Sequence, residues 1–247
     1  MYDPVKDGVA KTVHSVTYTE VDPPSEWTEL VHSYWELKTD ADLSEDFVLH
    51  ALPDACVNLL FNQHDVEIAG VTALHTAHTT LNLGRSFHYV GVQLFPGAWS
   101  GALIDTVDHY VGEPYAGDLP LIDTNRALVT FDDFTTKTEV LTDLIAELAY
   151  AEIVSANPVT AAILKNIDDV RSVADMAKIA GFSPRQLQRR LKARTGFTPH
   201  DLLKVLRMQR SFREDYLLSY TDQPHFIHSF RDLTGFTPAR FTDTFDV

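Results

Sequence analysis

The side chains best suited to chemistry lie between residues 185 and 213, where nine Lys and Arg residues accompany a single acid, Asp201. Ser183-Pro184-Arg185-Gln186 reads as a helix start, with Ser as N-cap, Pro at the first helical position and Gln placed to close a capping box. At about 100° per residue, Leu187 and Leu191 share one side of that helix, while Arg185, Arg189 and Lys192 lie opposite with Gln188 beside them. Arg pairs bidentately with guanine and Gln with adenine, so Arg185, Gln188 and Arg189 are the candidate base readers. Ser183, Arg190, Lys192 and Arg194 sit on the flanks and are the candidates for phosphate contact. A solvated basic face on an ordinary helix has the same pattern, so the neighbouring elements must decide between the two readings.

Those neighbours favour DNA. Upstream, Ser172-Val173-Ala174-Asp175 carries an N-cap signature, and Ala174, Ala177 and Ala180 supply a small-residue face for close packing before Gly181 makes a turn. Downstream, Thr-Gly-Phe-Thr-Pro stands at 195–199 and again at 234–238, an offset of 39 residues. In that register Leu187 falls on Phe226, Leu191 on Phe230 and Lys192 on Arg231, so the unit is a duplicated helix-turn-helix ending. The second copy is chemically thin. Pro224 and Ile227 stand where polar readers are needed, leaving Gln223 and His228, and Arg213 and Tyr216 replace Ala174 and Ala177. The second supporting helix is therefore expected to be lost or merged with a linker helix over 199–218, and the second unit to read DNA weakly.

Charge divides the chain in the same way. Residues 1–161 hold 6 basic and 25 acidic side chains, and residues 162–247 hold 14 and 10, so a net charge of −15 conceals a basic C-terminal third. A local basic stripe governs phosphate binding more than the global sum. The chain's 247 residues accommodate two domains. Residues 1–26 read as an irregular lead-in, and short apolar runs at 56–61, 66–71, 81–83 and 89–95, broken by turn residues, predict a β-sandwich or barrel. Residues 27–37 fit either a strand or a helix. An amphipathic helix is expected over 136–155, as core cover or as a dimer seam, with Asn157-Pro158 as stop and linker. The expected organisation is thus a β-rich regulatory domain over 1–135, a helix and linker over 136–157, and a helical DNA-binding domain over 158–247, an α+β chain.

Gly181-Phe182-Ser183-Pro184-Arg185-Gln186-Leu187, the two Thr-Gly-Phe-Thr-Pro turns, and Gln223-Pro224-His225-Phe226 with Phe230-Arg231 resemble the AraC/XylS-type transcription regulators. That resemblance covers about 158–241 and implies two helix-turn-helix units joined by a long helix, with base contacts carried over to Arg185, Gln188 and Arg189. The present signatures lie closer together than the family spaces them. Tyr34-Trp35-Glu36-Leu37, Leu52-Pro53-Asp54-Ala55-Cys56 and Gly91-Val92-Gln93-Leu94-Phe95-Pro96-Gly97 are similar to a sensor domain of that family, which implies a cupin-like β-barrel that senses a small molecule or mediates dimer contacts.

Other candidates carry blander alternatives. Trp35, Tyr89, Phe95 and Trp99 suit an effector pocket or plain core. Eight histidines occupy the first half, but His75 and His78 on a strand would point to opposite faces, so no metal is expected. Cys56 reads as a buried thiol. No nucleophile–base–orienter set or phosphate loop can be assembled, so no enzyme and no cofactor are expected. The expected partners are double-stranded DNA, a small-molecule effector and a second copy of the chain. Without a signal sequence or membrane-length apolar run, a cytoplasmic location is expected.

Overall fold

In the computed structural model, residues 3–4, 9–11, 15–72, 74–100, 112–213 and 222–246 are described. Period-two apolar patterning builds an antiparallel sheet from β2 (Val16–Val21), β3 (Val31–Thr39), β5 (Val57–Asn62), β6 (Ala69–Val71) and β8 (His88–Leu94), in the order β2-β3-β8-β5-β6. Val57, Leu59 and Phe61 of β5 share a face with Val90, Val92 and Leu94 of β8, a register fixed by the pairs Leu59↔Val92 and Phe61↔Val90. Two helices, α1 (Leu121–Leu128) and α2 (Phe134–Tyr150), cover that face. Leu141 and Ile145 of α2 are fully buried there, each contributing about 2 kcal/mol. The sheet's other face, with Leu37, Leu60 and Tyr89, packs beneath a separate hairpin-like pair, β4 (Phe47–Ala51) and β7 (Thr79–Gly84). Burial on both faces explains why β5 and β8 read as nearly unbroken apolar runs.

A bulge between Val31 and Ser33 shifts the register of β3, so that Tyr34 and Glu36 lie opposite Val92 and Val90. Tyr34 Oη is then 2.9 Å from Thr142 Oγ1 on α2. Glu36 is 3 % exposed, with His88 Nε2 at 2.8 Å and Lys38 Nζ at 2.7 Å. Burial alone would raise its pKa, but the hydrogen bonds and charges of His88 and Lys38 outweigh burial and hold the carboxyl at about 2.

The helical region follows as α3 (Pro158–Lys165), α4 (Val173–Ile179), α5 (Pro184–Thr195), α6 (Pro199–Ser211), α7 (Gln223–Thr234) and α8 (Pro238–Thr244). Each begins at a side-chain cap: Asn157, Ser172, Ser183, Thr198, Asp222 and Thr237. The terminal strands β1 (Val9–Ala10) and β9 (Phe245–Asp246) pair antiparallel and tie the two ends of the described chain together.

Several sequence expectations change. The lead-in over 1–26 contains β2, whose alternation Val-Thr-Tyr-Thr-Glu-Val was the overlooked signal, and residues 27–37 resolve as a short 3-10 turn, Ser25–Trp27, followed by β3. The strands form a five-stranded sheet and two two-stranded pairs, not a hydrogen-bonded closed barrel among the described residues. The apolar face of α2 lies in this chain's own core, leaving core cover as the role of that face. The expected linker helix over 199–218 ends at Ser211 among the described residues; Tyr216, Tyr220 and Thr221 lie outside them, as do His14 and His109.

Candidate nucleic-acid interface

The turn repeated in the sequence has a physical role in both places. Thr195 Oγ1 donates to Leu191 O at 2.8 Å and accepts from Phe197 N at 3.0 Å; Thr234 Oγ1 donates to Phe230 O at 2.9 Å and accepts from Phe236 N at 3.2 Å. Gly196 and Gly235 take left-handed conformations at φ 74° and 79°, ending α5 and α7. Thr198 and Thr237 then cap the next helix. Thr-Gly-Phe-Thr-Pro is therefore a helix stop fused to a helix start, with Phe197 buried between.

Around the first copy, Ser183 and Gln186 form the expected capping box, with Ser183 N donating to Gln186 Oε1 at 3.0 Å. Leu187 and Leu191 are buried against Met176 and Ala177 of α4 and Leu202 of α6. Of the three small residues expected to pack closely, Ala177 is buried, Ala180 is half-buried and Ala174 is exposed. Arg185, Gln188 and Arg189 are exposed together on the outer face of α5. Arg190 is exposed, its guanidinium 4.5 Å from the centre of the Phe182 ring, a contact the sequence reading missed. Lys192 Nζ donates to Gly196 O at 2.6 Å and so caps the helix end. The stripe's only acid, Asp201, is engaged locally, accepting from Thr198 N at 2.9 Å and Thr198 Oγ1 at 2.7 Å.

Arg194 departs from expectation. It is half-buried, and its Nε donates to Gly97 O at 3.3 Å while Nη2 donates to Ser155 Oγ. These bonds tie α5 to the first domain and the linker after it, neighbours that sequence faces cannot reveal. In the second unit, Gln223 and His228 are exposed, with His228 Nδ1 3.1 Å from Asp232 on the same face, beside Ile227. An acid on that face opposes phosphate approach.

The four aromatics proposed for an effector pocket separate. Trp35 and Tyr89 belong to the core beneath β4 and β7, Phe95 to the core of the first helical unit, and Trp99 to the core under α2. Trp35 also lies over Gly91, where any side chain would collide with the indole, and donates from Nε1 to Asn58 Oδ1 at 3.1 Å. An open cleft of about 670 Å³ lies at the β2–β3 edge, lined by Phe95 of these four together with Glu20, Asp22, Ser25, Thr28 and His32 among others. Among the described residues, no three His, Cys, Asp or Glu side chains gather in a metal-sized group. Cys56 is buried, and desolvation followed by the nearby Asp54 charge pushes its pKa well up.

Residues 163–204 match the model of bacterial regulatory helix-turn-helix proteins of the AraC family, and residues 19–111 match a domain of unknown function, DUF6597. The stretch from the end of α3 into α6 thus matches an AraC-family helix-turn-helix, a match that supports a DNA-binding transcription regulator. No curated protein and no solved structure matched the chain. No helix among the described residues is long and apolar enough to cross a membrane.

Proposed function

We propose that this protein is a sequence-specific, cytoplasmic transcription regulator that reads the major groove through the N-terminal turns of α5. The observation that carries the reading is the outer face of that helix: the side chains of Arg185, Gln188 and Arg189 stand exposed with no hydrogen bond or ion pair among the described residues, while Leu187 and Leu191 anchor the opposite side. Guanidinium and amide groups on one helix face suit base edges. Ser183 and Arg190 supply phosphate contacts, with Lys192 exchanging its carbonyl partner for phosphate. Gln223 and His228 contribute little, because Asp232 and Ile227 share their surface. With one effective reading helix per chain, the protein acts as a homodimer on paired half-sites. Control comes from a small molecule bound by the first domain, whose two facing sheets support the cupin-like reading. The open cleft lined by Glu20, Asp22 and His32 is a place for it. Fluorescence anisotropy of the full-length protein on its own upstream DNA and on a scrambled duplex, across a salt series, tests the reading. Tighter binding to the native sequence with a steep salt slope is expected; equal binding to both would remove sequence specificity.

A second reading is favoured by one observation. The outward face of α7, with Pro224, Ile227 and the His228–Asp232 pair, is poor for DNA. A co-regulator that has lost autonomous DNA binding would bind neither duplex while remaining folded.

A further inference from the structure

The second helical unit directs its chemistry inward, toward the sensor domain. His50 on β4 is 2 % exposed, and its Nε2 lies 2.7 Å from Thr234 O, an atom that only accepts, so Nε2 carries the proton. The same imidazole stacks on Phe245 at 4.9 Å with an interplanar angle of 12° and meets Phe236 edge-on at 5.1 Å. His78, just before β7, donates its backbone N–H to Leu233 O at 2.7 Å, and its ring lies 4.8 Å from that of His50. That ring sits so close to Gly235 that an added Cβ there would lie 2.6 Å from it. Two residues of the first domain thus hold the second Thr-Gly-Phe-Thr-Pro turn by its last helical carbonyls.

The adjoining loop, residues 52–56, extends the grip. Leu52 enters the core formed by Met208, Phe226, Phe230, Leu233 and Phe241, whereas Ala55 and Cys56 enter the core of the first unit with Leu203 and Leu206. Between them Pro53 O accepts from Gln209 Nε2 at 3.1 Å, and Gln209 lies on α6, the helix that both units share. The loop therefore straddles α6 with one foot in each core. At the far end of α5, Arg194 makes a third attachment, to Gly97 and Ser155. These attachments leave Arg185, Gln188 and Arg189 uncovered.

We propose that the second helical unit is the handle by which the sensor domain holds the reading unit, with His50 as the positioning residue of the contact, and that it is not a second reader of DNA. The physical need follows from charge. Residues 1–161 carry 25 acids against 6 bases, so an unrestrained sensor domain would place a negative field near the phosphates. Fixing its orientation through β4, the 52–56 loop and α6 keeps the basic face of α5 presented. The proposal rests on the reading of α5 given above.

The test uses the full-length protein with four substitutions. His50→Ala removes ring and hydrogen bond, His50→Phe keeps a ring for stacking, Gln223→Ala with His228→Ala alters the outward face of α7, and Arg189→Ala reports on α5. Hydrogen exchange of residues 226–245 is measured without DNA, and duplex affinity is measured at low and high salt. Expected is faster exchange in His50→Ala, partial rescue in His50→Phe, and weakening of DNA binding by about fivefold or more at low salt that shrinks at high salt. The Gln223/His228 variant should bind within about twofold of the parent, as exposed substitutions away from a contact do. Loosened exchange with unchanged DNA affinity would refute the handle, and a large affinity loss in the Gln223/His228 variant would show α7 to be a reader. An Arg189→Ala protein with unaltered affinity and base preference would instead overturn the α5 assignment, while the exchange data still decide whether His50 holds the turn. If His50→Ala fails to fold, His50→Phe decides: loosened exchange without weaker low-salt binding overturns the proposal.

Discussion

Four arginines lie on α5, and the structure assigns them different fates, which makes Arg189→Ala against Arg194→Ala the sharpest test. Arg189 is exposed and has no side-chain partner among the described residues, whereas Arg194 is half-buried, with its guanidinium donating to Gly97 O and Ser155 Oγ. A bidentate Arg–guanine pair contributes about 1–3 kcal/mol of discrimination, so Arg189→Ala should lower affinity for the preferred duplex roughly 5- to 150-fold and relax preference at one base. Arg194 has a different ledger. Each cation reaching a phosphate adds about 0.9 to the slope of log affinity against log salt, and a guanidinium held inside the protein adds none. Arg194→Ala should therefore leave the slope unchanged and cost about 1–3 kcal/mol of stability through two lost hydrogen bonds from a charged group. Anisotropy across a salt series and thermal unfolding separate these outcomes. A fall in slope of about one for Arg194→Ala, with unchanged stability, would refute the reasoning, because the side chain would then be reaching phosphate.

Three further outcomes follow from the geometry. Glu36 has a folded pKa of about 2 against an ordinary 4.5, so its contribution is fully present above pH 4.5 and lost as pH falls toward 2. Acid unfolding should show that loss, on the order of 3 kcal/mol, with Glu36→Gln flattening the profile; an identical profile would remove the cluster as its cause. Gly181 and Gly235 both have positive φ, but only Gly235 has a neighbour where a Cβ would go, the His78 ring at 2.6 Å, while Gly181 faces open space. Gly181→Ala should cost about 1 kcal/mol and Gly235→Ala distinctly more in denaturant unfolding, and equal costs would deny the tight fit of His78. Cys56, buried and with its pKa pushed up, should resist alkylation by iodoacetamide at neutral pH until the protein is unfolded; rapid labelling of native protein would contradict its burial.

Local signals were legible because local physics sets them. Ser183, Pro184 and Gln186 specify a helix start through groups within one turn of each other, and Thr195-Gly196 specifies its end, so α5 and its two faces follow from the sequence. The amphipathic period of α2 was equally direct, although residues 140–153 could not say whether their apolar face meets this chain or another; the sheet beneath Leu141 and Ile145 decided that. Residues 27–37 carried both periods because a strand buried on both faces loses clean alternation, and the bulge after Val31 disturbed what remained. Trp35, Tyr89, Phe95 and Trp99 shared chemistry but not a place, and sequence spacing cannot distribute side chains among three cores.

By itself, then, the sequence determined the helix α5, its exposed Arg185, Gln188 and Arg189 face, the basic C-terminal third and the double turn, all consequences of neighbours within a few residues. Only the tertiary structure decided that Arg194 and His50 join the domains and that Leu52 and Cys56 enter different cores. Those contacts span 39 to 184 residues of chain, and their partners are chosen by which surfaces the fold brings face to face.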